Sequence, residues 1–258
     1  MTLDDFGLDA FSIEGRCAVV TGGTTGLGQA MTVALARAGA DVLVAGLTPD
    51  DGSTQRRVEE AGRRWVALET DVTAPGEPAR IVEECRAAFG SVDILVNSAG
   101  TCLIADVEDF GREQWDPMVA VNLTATFELS RAAAAVMREQ GHGKIVNVAS
   151  LFSFLGGTGS PAYAATKAGI AGFTRAYCDE LARHNIQVNA IAPGYMATAL
   201  TAAAQADEET SRRIVAHIPA DRWGEPADLM GAVVFLASRA SDYVNGHLLV
   251  VDGGYLVR

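Results

Sequence analysis

Positive charge is scarce in this sequence. Its 258 residues include 20 lysines and arginines against 32 aspartates and glutamates, which gives a formal net charge of −12 at pH 7. No basic stripe is present to attract phosphates, so binding to nucleic acid or to an anionic membrane surface would lack its usual electrostatic driving force. We therefore expect neither nucleic acid nor a membrane as a partner.

Paired cysteines and long apolar runs are also missing. Cys17, Cys85, Cys102 and Cys178 are scattered, with no CxxC pair and no histidine at metal-ligand spacing, which predicts free thiols rather than disulfides or a metal site. The opening residues, MTLDDFGLDAFSIEG, are acidic and lack the pattern of a signal peptide. No run approaches the roughly 18 apolar residues of a membrane span. These features predict a cytoplasmic protein.

What the sequence does contain is a series of short apolar segments that alternate with alanine-rich amphipathic ones. The predicted strands are CAVVT (17–21), DVLVAG (41–46), WVALET (65–70), VDILVN (92–97), KIVNVAS (144–150), IQVNAIAP (186–193) and HLLVVDGG (247–254). Strands that are apolar throughout are buried on both faces, which is typical of a parallel sheet covered by helices on both sides. We therefore predict an α/β fold, a doubly wound parallel sheet of about seven strands.

Residues 1–258 are predicted to form one domain, because no linker, low-complexity tract or repeat interrupts the alternation. The stretch from 194 to 223 departs from it, with a loop followed by a polar helix. We interpret this stretch as a cover over a binding site.

The segment TGGTTGLG, Thr21 to Gly28, lies between the first predicted strand and the first predicted helix. Glycines at 22, 26 and 28 would let the backbone turn tightly and approach a ligand, and the free N–H groups at the start of the helix favour a phosphate. A tight turn can require glycine without any ligand. Its position between strand and helix favours a pyrophosphate-binding turn.

Tyr163 and Lys167, in SPAYAATKAGIAGF, are four residues apart on a predicted helix and therefore share one face. A positive charge about 5 Å from the phenol is expected to lower the pKa of the phenol by on the order of two units, which suits acid/base catalysis near neutral pH. The pair alone is more often a packed ring beside a solvated amine. Ser150, thirteen positions before Tyr163 at the end of a predicted strand, favours the catalytic interpretation because its hydroxyl could bind a reacting oxygen.

Taken together, these motifs resemble the short-chain dehydrogenase/reductase family over essentially the whole chain. The resemblance rests on the turn TGxxxGxG, Asp71, NSAG (97–100), Asn122, Ser150, the Tyr163–Lys167 pair and PGYMAT (193–198), in that order. It implies a Rossmann fold, a nicotinamide cofactor and interconversion of an alcohol and a ketone. It also implies that Tyr163 is the acid/base, that Ser150 orients the substrate oxygen, and that Lys167 lowers the phenol pKa and holds the nicotinamide ribose.

By the same resemblance, Asn122 anchors a water on the proton path; the alternative is a helix amide bonded to backbone. The residues implied to bind the cofactor are Gly22, Thr24, Thr25, Gly26, Leu27, Leu47, Asp71, Val72, Asn97, Ala99, Gly100, Tyr163, Lys167, Pro193, Gly194, Met196 and Thr198. Asp71 would contact adenine, the NSAG turn would accommodate ribose and adenine, and the segment 193–198 would position the carboxamide. For each of these three, a purely structural turn or loop is the alternative.

The choice between NAD and NADP depends on the end of the second strand. An acidic residue there would bind the ribose 2′-hydroxyl, and an arginine would neutralise a 2′-phosphate. The sequence has AGLTPDD, with neither feature at 45–48, and Thr25 stands where many NADP-preferring members of the family carry a basic residue. Because no nearby cation would compensate a 2′-phosphate, we predict NAD, with NADP as the less favoured alternative.

The C-terminal third resembles one branch of the family, the bacterial enzymes that oxidise 2-dehydro-3-deoxy-D-gluconate. This implies a secondary alcohol on a deoxy sugar acid as substrate. The sequence departs from that branch after NSAG, where TCLIADVEDF is apolar and acidic rather than basic. A carboxylate favours a nearby cation, for which Arg212, Arg213 and Arg222 are candidates, although solvated surface arginines would explain them equally.

Three alternatives stay open from the sequence. The first is another enzyme of the same fold, such as a 3-oxoacyl thioester reductase or a polyol dehydrogenase. The second is a nonenzymatic nucleotide-binding sensor, and the third is a purely structural interaction protein, which would have no need for the phosphate-binding turn. The family resemblance also implies a homotetramer.

Overall fold

The computed structural model describes residues 7–258, whose central feature is one parallel sheet. The strands are Cys17–Thr21 (β1), Asp41–Gly46 (β2), Trp65–Glu69 (β3), Ile94–Asn97 (β4), Gly143–Val148 (β5), Ile186–Pro193 (β6) and Leu248–Val251 (β7). Their order across the sheet is β3-β2-β1-β4-β5-β6-β7, and every neighbouring pair is parallel. The predicted doubly wound fold is confirmed.

The helices that cover this sheet follow its strands along the chain. The helices are Gly26–Arg37 (α1), Ser53–Glu60 (α2), Glu77–Phe89 (α3), Arg112–Met118 (α4), Ala125–Gln140 (α5), Pro161–Leu181 (α6), Ala202–Ala206 (α7), Glu208–His217 (α8) and Met230–Ala237 (α9). Within residues 7–258, none of them is long and apolar enough to cross a membrane. The stretch from 194 to 223 contains a loop, a 3₁₀ turn at Ala199–Thr201, and the short helices α7 and α8.

Alternation along the buried strands divides the core into two layers. Ala18 and Val20 of β1 pack on the side of α1 and α9, where Leu35 and Leu236 are buried. The intervening residues of β1 pack on the opposite side against α3, α5 and α6. All five residues of β1 and all eight of β6 are buried, so neither strand has a face exposed to water. Burial on both faces is what an all-parallel sheet requires.

The strand order reverses between β1 and β4, and this reversal positions the functional site. The chain moves outward from β1 to β3 and then returns across β1 to β4. Helices that follow β1 and β4 therefore lie on opposite faces, which leaves a crevice at the carboxyl ends of these strands. The glycine turn follows β1, the NSAG turn follows β4, and Ser150 follows β5, so all three motifs lie at the same edge of the sheet.

A buried carboxylate holds the opposite edge of the sheet together. The Asp93 carboxylate accepts from the N–H of Cys17 (2.9 Å), Ser91 Oγ (2.7 Å) and Arg16 Nη1 (2.9 Å), and it lies 2.7 Å from His142 Nε2. Burial alone would raise the pKa of Asp93, but these hydrogen bonds outweigh it and hold the pKa below its ordinary value. Asp93 thus ties the start of β1 to the segment before β5.

Replacing this carboxylate tests its contribution to stability. We expect Asp93→Asn to lower the free energy of unfolding at neutral pH by about 3 kcal/mol, because it leaves buried donors without their charged partner. The depressed pKa means that the stabilisation is complete above the ordinary carboxyl pKa and is lost as the pH falls through the folded value. The variant should therefore show a shallower loss of stability on acidification than the wild type in urea unfolding.

The matched control is Asp116→Asn. Asp116 pairs with Arg112 at the surface, where the two side chains are 53% and 82% exposed. Exposed pairs contribute at most about 1 kcal/mol. Equal losses of stability in the two variants would contradict the role assigned to Asp93.

Candidate active site

The glycine turn after β1 has the geometry of a phosphate cradle. Gly22 and Gly26 have φ values of +64° and +52°, which favour glycine. A Cβ added at Gly28 would collide with the carbonyl oxygen of Gly22, so the helix packs directly on the turn. Thr25 stands at the N-cap of α1 and its side chain makes no capping hydrogen bond. The first N–H groups of the twelve-residue helix therefore lack a side-chain acceptor there and fit a pyrophosphate.

Gly23 was missed by the sequence analysis, although it has a steric role in the same turn. A Cβ at this position would lie 2.6 Å from Thr32 Oγ1 and 2.8 Å from a methyl group of Val44. Glycine at 23 therefore lets the turn pack directly against Thr32 of α1 and Val44 of β2. The spacing of the glycines in TGGTTGLG did not distinguish this packing glycine from its neighbours.

The NSAG turn lies against the glycine turn. A Cβ at Gly22 would be 3.1 Å from the Cα of Ala99, and the N–H groups of Ser98 and Ala99 both donate to Thr21 Oγ1 at 3.1 Å. On the other side of the turn, a Cβ at Gly100 would lie 3.3 Å from Asn122 Oδ1 and 3.9 Å from Lys167 Nζ. Small residues at 99 and 100 therefore leave space between the phosphate cradle and the predicted catalytic residues.

The side chain of Asn97 is directed into the protein rather than into the crevice. Its Nδ2 donates to Ser130 Oγ (3.0 Å) and to Asn147 Oδ1 (2.9 Å), and its Oδ1 has no hydrogen-bond partner among residues 7–258. Asn147 in turn donates to Thr174 Oγ1 at 3.0 Å. This buried chain of polar groups joins β4 to β5, α5 and α6. Any contact of Asn97 with a cofactor is left to its backbone.

The residues predicted to contact adenine and ribose lie at the ends of β2 and β3. Leu47 is 69% exposed beyond β2, whereas Val72 is 5% exposed and belongs to the core, so only its backbone is available to a ligand. Asp71 lies two residues beyond the end of β3. Its Oδ1 accepts from the N–H (2.9 Å) and hydroxyl (2.7 Å) of Thr73. That carboxylate therefore already forms the turn that the sequence analysis named as the alternative.

The segment after β6 passes back over the glycine turn. Gly194 is required because a Cβ there would lie 2.6 Å from the Cα of Asp252. Met196 is 4% exposed and packs in the core, while the side chain of Thr198 lies 3.8 Å from the Cβ position of Gly26. Pro193 is the buried last residue of β6. Of these residues, Thr198 approaches the phosphate cradle most directly.

Tyr163, Lys167, Ser150 and Asn122 come together at the carboxyl end of β5. Tyr163 and Lys167 lie one turn apart on α6, with Nζ 5.5 Å from the centre of the phenol ring. Lys167 Nζ donates to the carbonyl oxygen of Val148, the last residue of β5, at 2.7 Å. Ser150 is two residues beyond Val148 and its Oγ accepts from the N–H of Phe152 at 3.2 Å. Since the backbone supplies that donor, the Ser150 hydroxyl proton is left for a reacting oxygen.

The pKa of Tyr163 differs from the sequence-based expectation. Burial raises the pKa of Tyr163 to about 12, and the neighbouring Ser150 side chain only partly opposes this. Burial also lowers the pKa of Lys167 to about 8. The expectation that Lys167 depresses the phenol pKa considered only the charge of the amine. It omitted the loss of water around both groups, which disfavours the charged form of each.

Asn122 lies in an irregular stretch of helix between α4 and α5. Residues Val119–Thr124 form a π-helical turn directly after Met118. The Asn122 amide brackets Thr101, accepting from its N–H at 2.8 Å and donating to its carbonyl oxygen at 2.9 Å. Its Nδ2 also lies 3.3 Å from Thr166 Oγ1 on α6. The amide therefore fixes the loop that follows NSAG against the helix of Tyr163 and Lys167.

Two residues of SLFS, the segment after β5, were missed by the sequence analysis. Ser153 Oγ donates to the carbonyl oxygen of Lys167 at 2.7 Å and accepts from the N–H of Ser150 at 3.3 Å. The ring of Phe152 meets Tyr163 edge-on, with centroids 5.8 Å apart. The two serines three apart are a capping signature that could have identified the contact of Ser153 with Ser150. Only the fold reveals the other contacts.

A phosphate cradle where the strand order reverses, with a partly buried tyrosine and a buried lysine at the nearby end of β5, is the arrangement of an oxidoreductase that uses a nicotinamide dinucleotide. A family model described as enoyl-(acyl carrier protein) reductase matches residues 22–256. Together with the relatives below, this match shows that the chain belongs to the short-chain dehydrogenase/reductase family. The predicted resemblance is confirmed.

Similar proteins cover nearly the whole chain. The uncharacterized oxidoreductase YgcW of Escherichia coli is 57% identical, with 100% of this chain and 98% of the relative covered. The 2-dehydro-3-deoxy-D-gluconate 5-dehydrogenase of Escherichia coli is 49% identical, with 97% and 99% covered. A crystal structure from Agrobacterium tumefaciens, provisionally named a 2-deoxy-D-gluconate 3-dehydrogenase and containing NADP, is 45% identical with a TM-score of 0.90, covering 96% of this chain and 99% of that one.

Proposed function

We propose that this chain is a cytoplasmic, NAD-dependent dehydrogenase that interconverts a secondary alcohol and a ketone on a deoxy sugar acid. The observation that carries the proposal is the convergence of Ser150, Tyr163 and Lys167 at the end of β5, beside the phosphate cradle. The 49% identical dehydrogenase of 2-dehydro-3-deoxy-D-gluconate supports the substrate class.

Each catalytic side chain has a role that follows from its contacts. When bound, the nicotinamide dinucleotide supplies the hydride acceptor or donor. Ser150, whose Oγ already accepts from Phe152, donates its proton to the substrate oxygen and holds that oxygen near Tyr163. Tyr163 takes the hydroxyl proton in oxidation and returns it in reduction.

Lys167 and Asn122 support this proton transfer. The Lys167 ammonium uses one N–H on Val148 and has two left for a ribose or a water. Asn122 accepts from the N–H of Thr101 and lies 3.3 Å from Thr166 Oγ1. It therefore holds the loop after NSAG against α6, beside Lys167. With its pKa near 12 in the free chain, Tyr163 stays protonated at neutral pH and therefore cannot accept a proton. Positive charge brought in with the oxidised nicotinamide would favour the phenolate only in the complex.

Removing the phenol oxygen tests the assignment of Tyr163. We expect Tyr163→Phe to lower kcat at least on the order of 100-fold, because the proton acceptor is lost. Binding of the reduced cofactor, followed by fluorescence, should be largely unchanged. The control is Tyr177→Phe on the same helix, away from the crevice, which should retain normal turnover. Wild-type kcat in Tyr163→Phe would rule out the assignment.

The absence of positive charge at residues 47–51, directly after β2, supports NAD over NADP. The residues Leu47, Thr48, Asp50 and Asp51 carry two negative charges and no positive one. The Asp50 carboxylate is occupied by the N–H groups at the start of α2. A 2′-phosphate placed beside Leu47 would thus meet no neutralising side chain from this segment. The NADP in the similar crystal structure makes NADP the competing cofactor.

Steady-state assays with both cofactors across sugar acids, polyols and 3-oxoacyl thioesters test cofactor and substrate together. We expect the highest kcat/KM with NAD and a deoxy sugar acid. Leu47→Arg should raise kcat/KM with NADP by roughly tenfold, because the guanidinium would pair with the 2′-phosphate. A wild-type preference for NADP would contradict the NAD proposal, and a preference for an acyl thioester or a polyol would contradict the proposed substrate.

We further propose that the chain forms a homotetramer. Phe127 of α5 is 39% exposed and packs edge-on against Phe173 and Tyr177 of α6, which gives a partly exposed aromatic face on two long helices. A second copy would bury this face from water. Light scattering coupled to gel filtration should give four times the mass of one chain, and the mass of one chain would contradict the proposal.

A further inference from the structure

The substrate proposal leaves one requirement that the residues near the catalytic tyrosine do not meet. A sugar acid carries a carboxylate several carbons from the reacting alcohol, and a carboxylate is best recognised by a guanidinium. The loop after NSAG contains Asp106, Glu108 and Asp109 and no basic residue up to 110. Lys167 is 4% exposed and its ammonium is bonded to Val148 beside Tyr163, so it is not available to a carboxylate several carbons from the reacting alcohol. The cation must come from another side of the crevice.

The strand register indicates which side this is. Val148 of β5 is opposite Ile191 of β6, so Ser150 and Pro193, each two residues further on, lie at the same level of adjacent strands. Neighbouring strands are about 4.8 Å apart. Tyr195 follows Pro193 by two residues and therefore lies in the segment that leaves β6 beside Ser150.

Tyr195 belongs to an aromatic group that joins the segment after β6 to helix α8. Its ring lies 5.8 Å from that of Trp223 and 5.2 Å from that of Tyr255, and Tyr255 lies 4.3 Å from His217 of α8. Trp223 Nε1 donates to Ser211 Oγ at 3.0 Å, which attaches the first half of α8 to the same group. We call Tyr195, Trp223, Tyr255 and His217 the aromatic wall. Through it, α8 has a defined orientation toward the end of β6.

That orientation distinguishes two consecutive arginines of α8. Arg213 lies four residues before His217 and so shares the face of the helix that meets the aromatic wall. Arg212 is rotated from Arg213 by about 100° around the helix axis, away from His217. Consistent with this placement, burial raises the pKa of Tyr195 to about 12 and the charge of Arg213 opposes the rise.

Of the three candidate arginines, Arg213 is the one that lies on the side of the aromatic wall and forms no ion pair with a described residue. Arg222 is held by the Asp228 carboxylate through two hydrogen bonds, of 2.7 and 2.9 Å. Arg213 makes no ion pair with any residue in 7–258, although its charge is felt by Asp207 at the start of α8. An unpaired guanidinium beside a half-buried phenol is well suited to an anionic ligand.

We infer that Arg213 recognises the carboxylate of the substrate, with the aromatic wall lining the path between it and Ser150. This inference rests on the proposed function, since it assigns a specificity-determining residue to the same site. It also accounts for the apolar and acidic loop after NSAG, which need not contribute a cation when α8 does so.

The test compares Arg213→Gln with Arg212→Gln in the full-length protein. For oxidation of 2-dehydro-3-deoxy-D-gluconate, we expect Arg213→Gln to raise KM on the order of 10- to 100-fold with little change in kcat, because a charge-assisted contact remote from the reacting atoms is lost. Arg213→Lys should recover part of this loss. Arg212→Gln should leave KM within about twofold. The KM for NAD should be the same in all variants, which reports an intact cofactor site.

An uncharged substrate separates recognition of the carboxylate from a general disturbance of α8. Turnover of a polyol of similar length should be slow in the wild type and unaffected by Arg213→Gln. Equal losses on the polyol and the acid, equal effects of Arg212→Gln, or an unchanged KM for the acid would each overturn the inference while leaving the proposed function standing. A wild-type protein that oxidises no sugar acid would instead overturn the proposed function itself, and the inference with it.

Discussion

A buried ammonium held by a backbone carbonyl is the contact on which the site depends. Lys167 Nζ donates to Val148 at the point where β5 ends, so the helix that carries Tyr163 is fixed to the strand that delivers Ser150. Ser153 reinforces the connection by bonding the carbonyl of Lys167 and the N–H of Ser150. The phenol, the hydroxyl and the amine therefore hold one mutual arrangement. The burial that fixes them is also what raises the pKa of Tyr163 and lowers that of Lys167.

The rest of the fold brings a phosphate cradle to this arrangement. Because β1 and β4 are neighbours, the glycine turn and the NSAG turn touch through Gly22 and Ala99. Gly100 completes the approach by leaving room next to Asn122 and Lys167. The small residues of two separate motifs thus allow the two turns to pack closely and keep the space between the phosphate cradle and the end of β5 free of side chains.

Much of this architecture could be predicted from the sequence, for reasons that particular strands make clear. The bounds of β1, β2 and β6 agree with the apolar runs, because every interior residue of these strands is buried. At β4 the apolar run began at Val92, but the structure begins the strand at Ile94, because the N–H and the carbonyl oxygen of Val92 are both bonded to the side chain of Gln140. Periodicity alone does not reveal such a local hydrogen-bonding demand.

The properties of the site were harder to predict from the sequence wherever they depend on how deeply a side chain is buried or on the direction in which it points. The order of the motifs predicted Tyr163 and Lys167 as a pair, and the structure places them one turn apart on α6, but the direction of the phenol pKa shift depends on how far both groups are removed from water. The orientation of Asn97 depends on Ser130 and Asn147, which are distant in the chain. The face of α8 that meets the aromatic wall likewise follows from contacts with residues after β6 and β7. These are properties of the assembled fold.

The π-helical turn at Val119–Thr124 has a consequence for how this helix can vary in length. A π turn is equivalent to one extra residue inserted in an α-helix, and deleting that residue would rotate everything beyond it by about 100°. The amide of Asn122 would then swing away from Thr101, which it now brackets on both sides. Insertions and deletions should thus be tolerated in the exposed loop after NSAG far more readily than in the single turn that follows Met118.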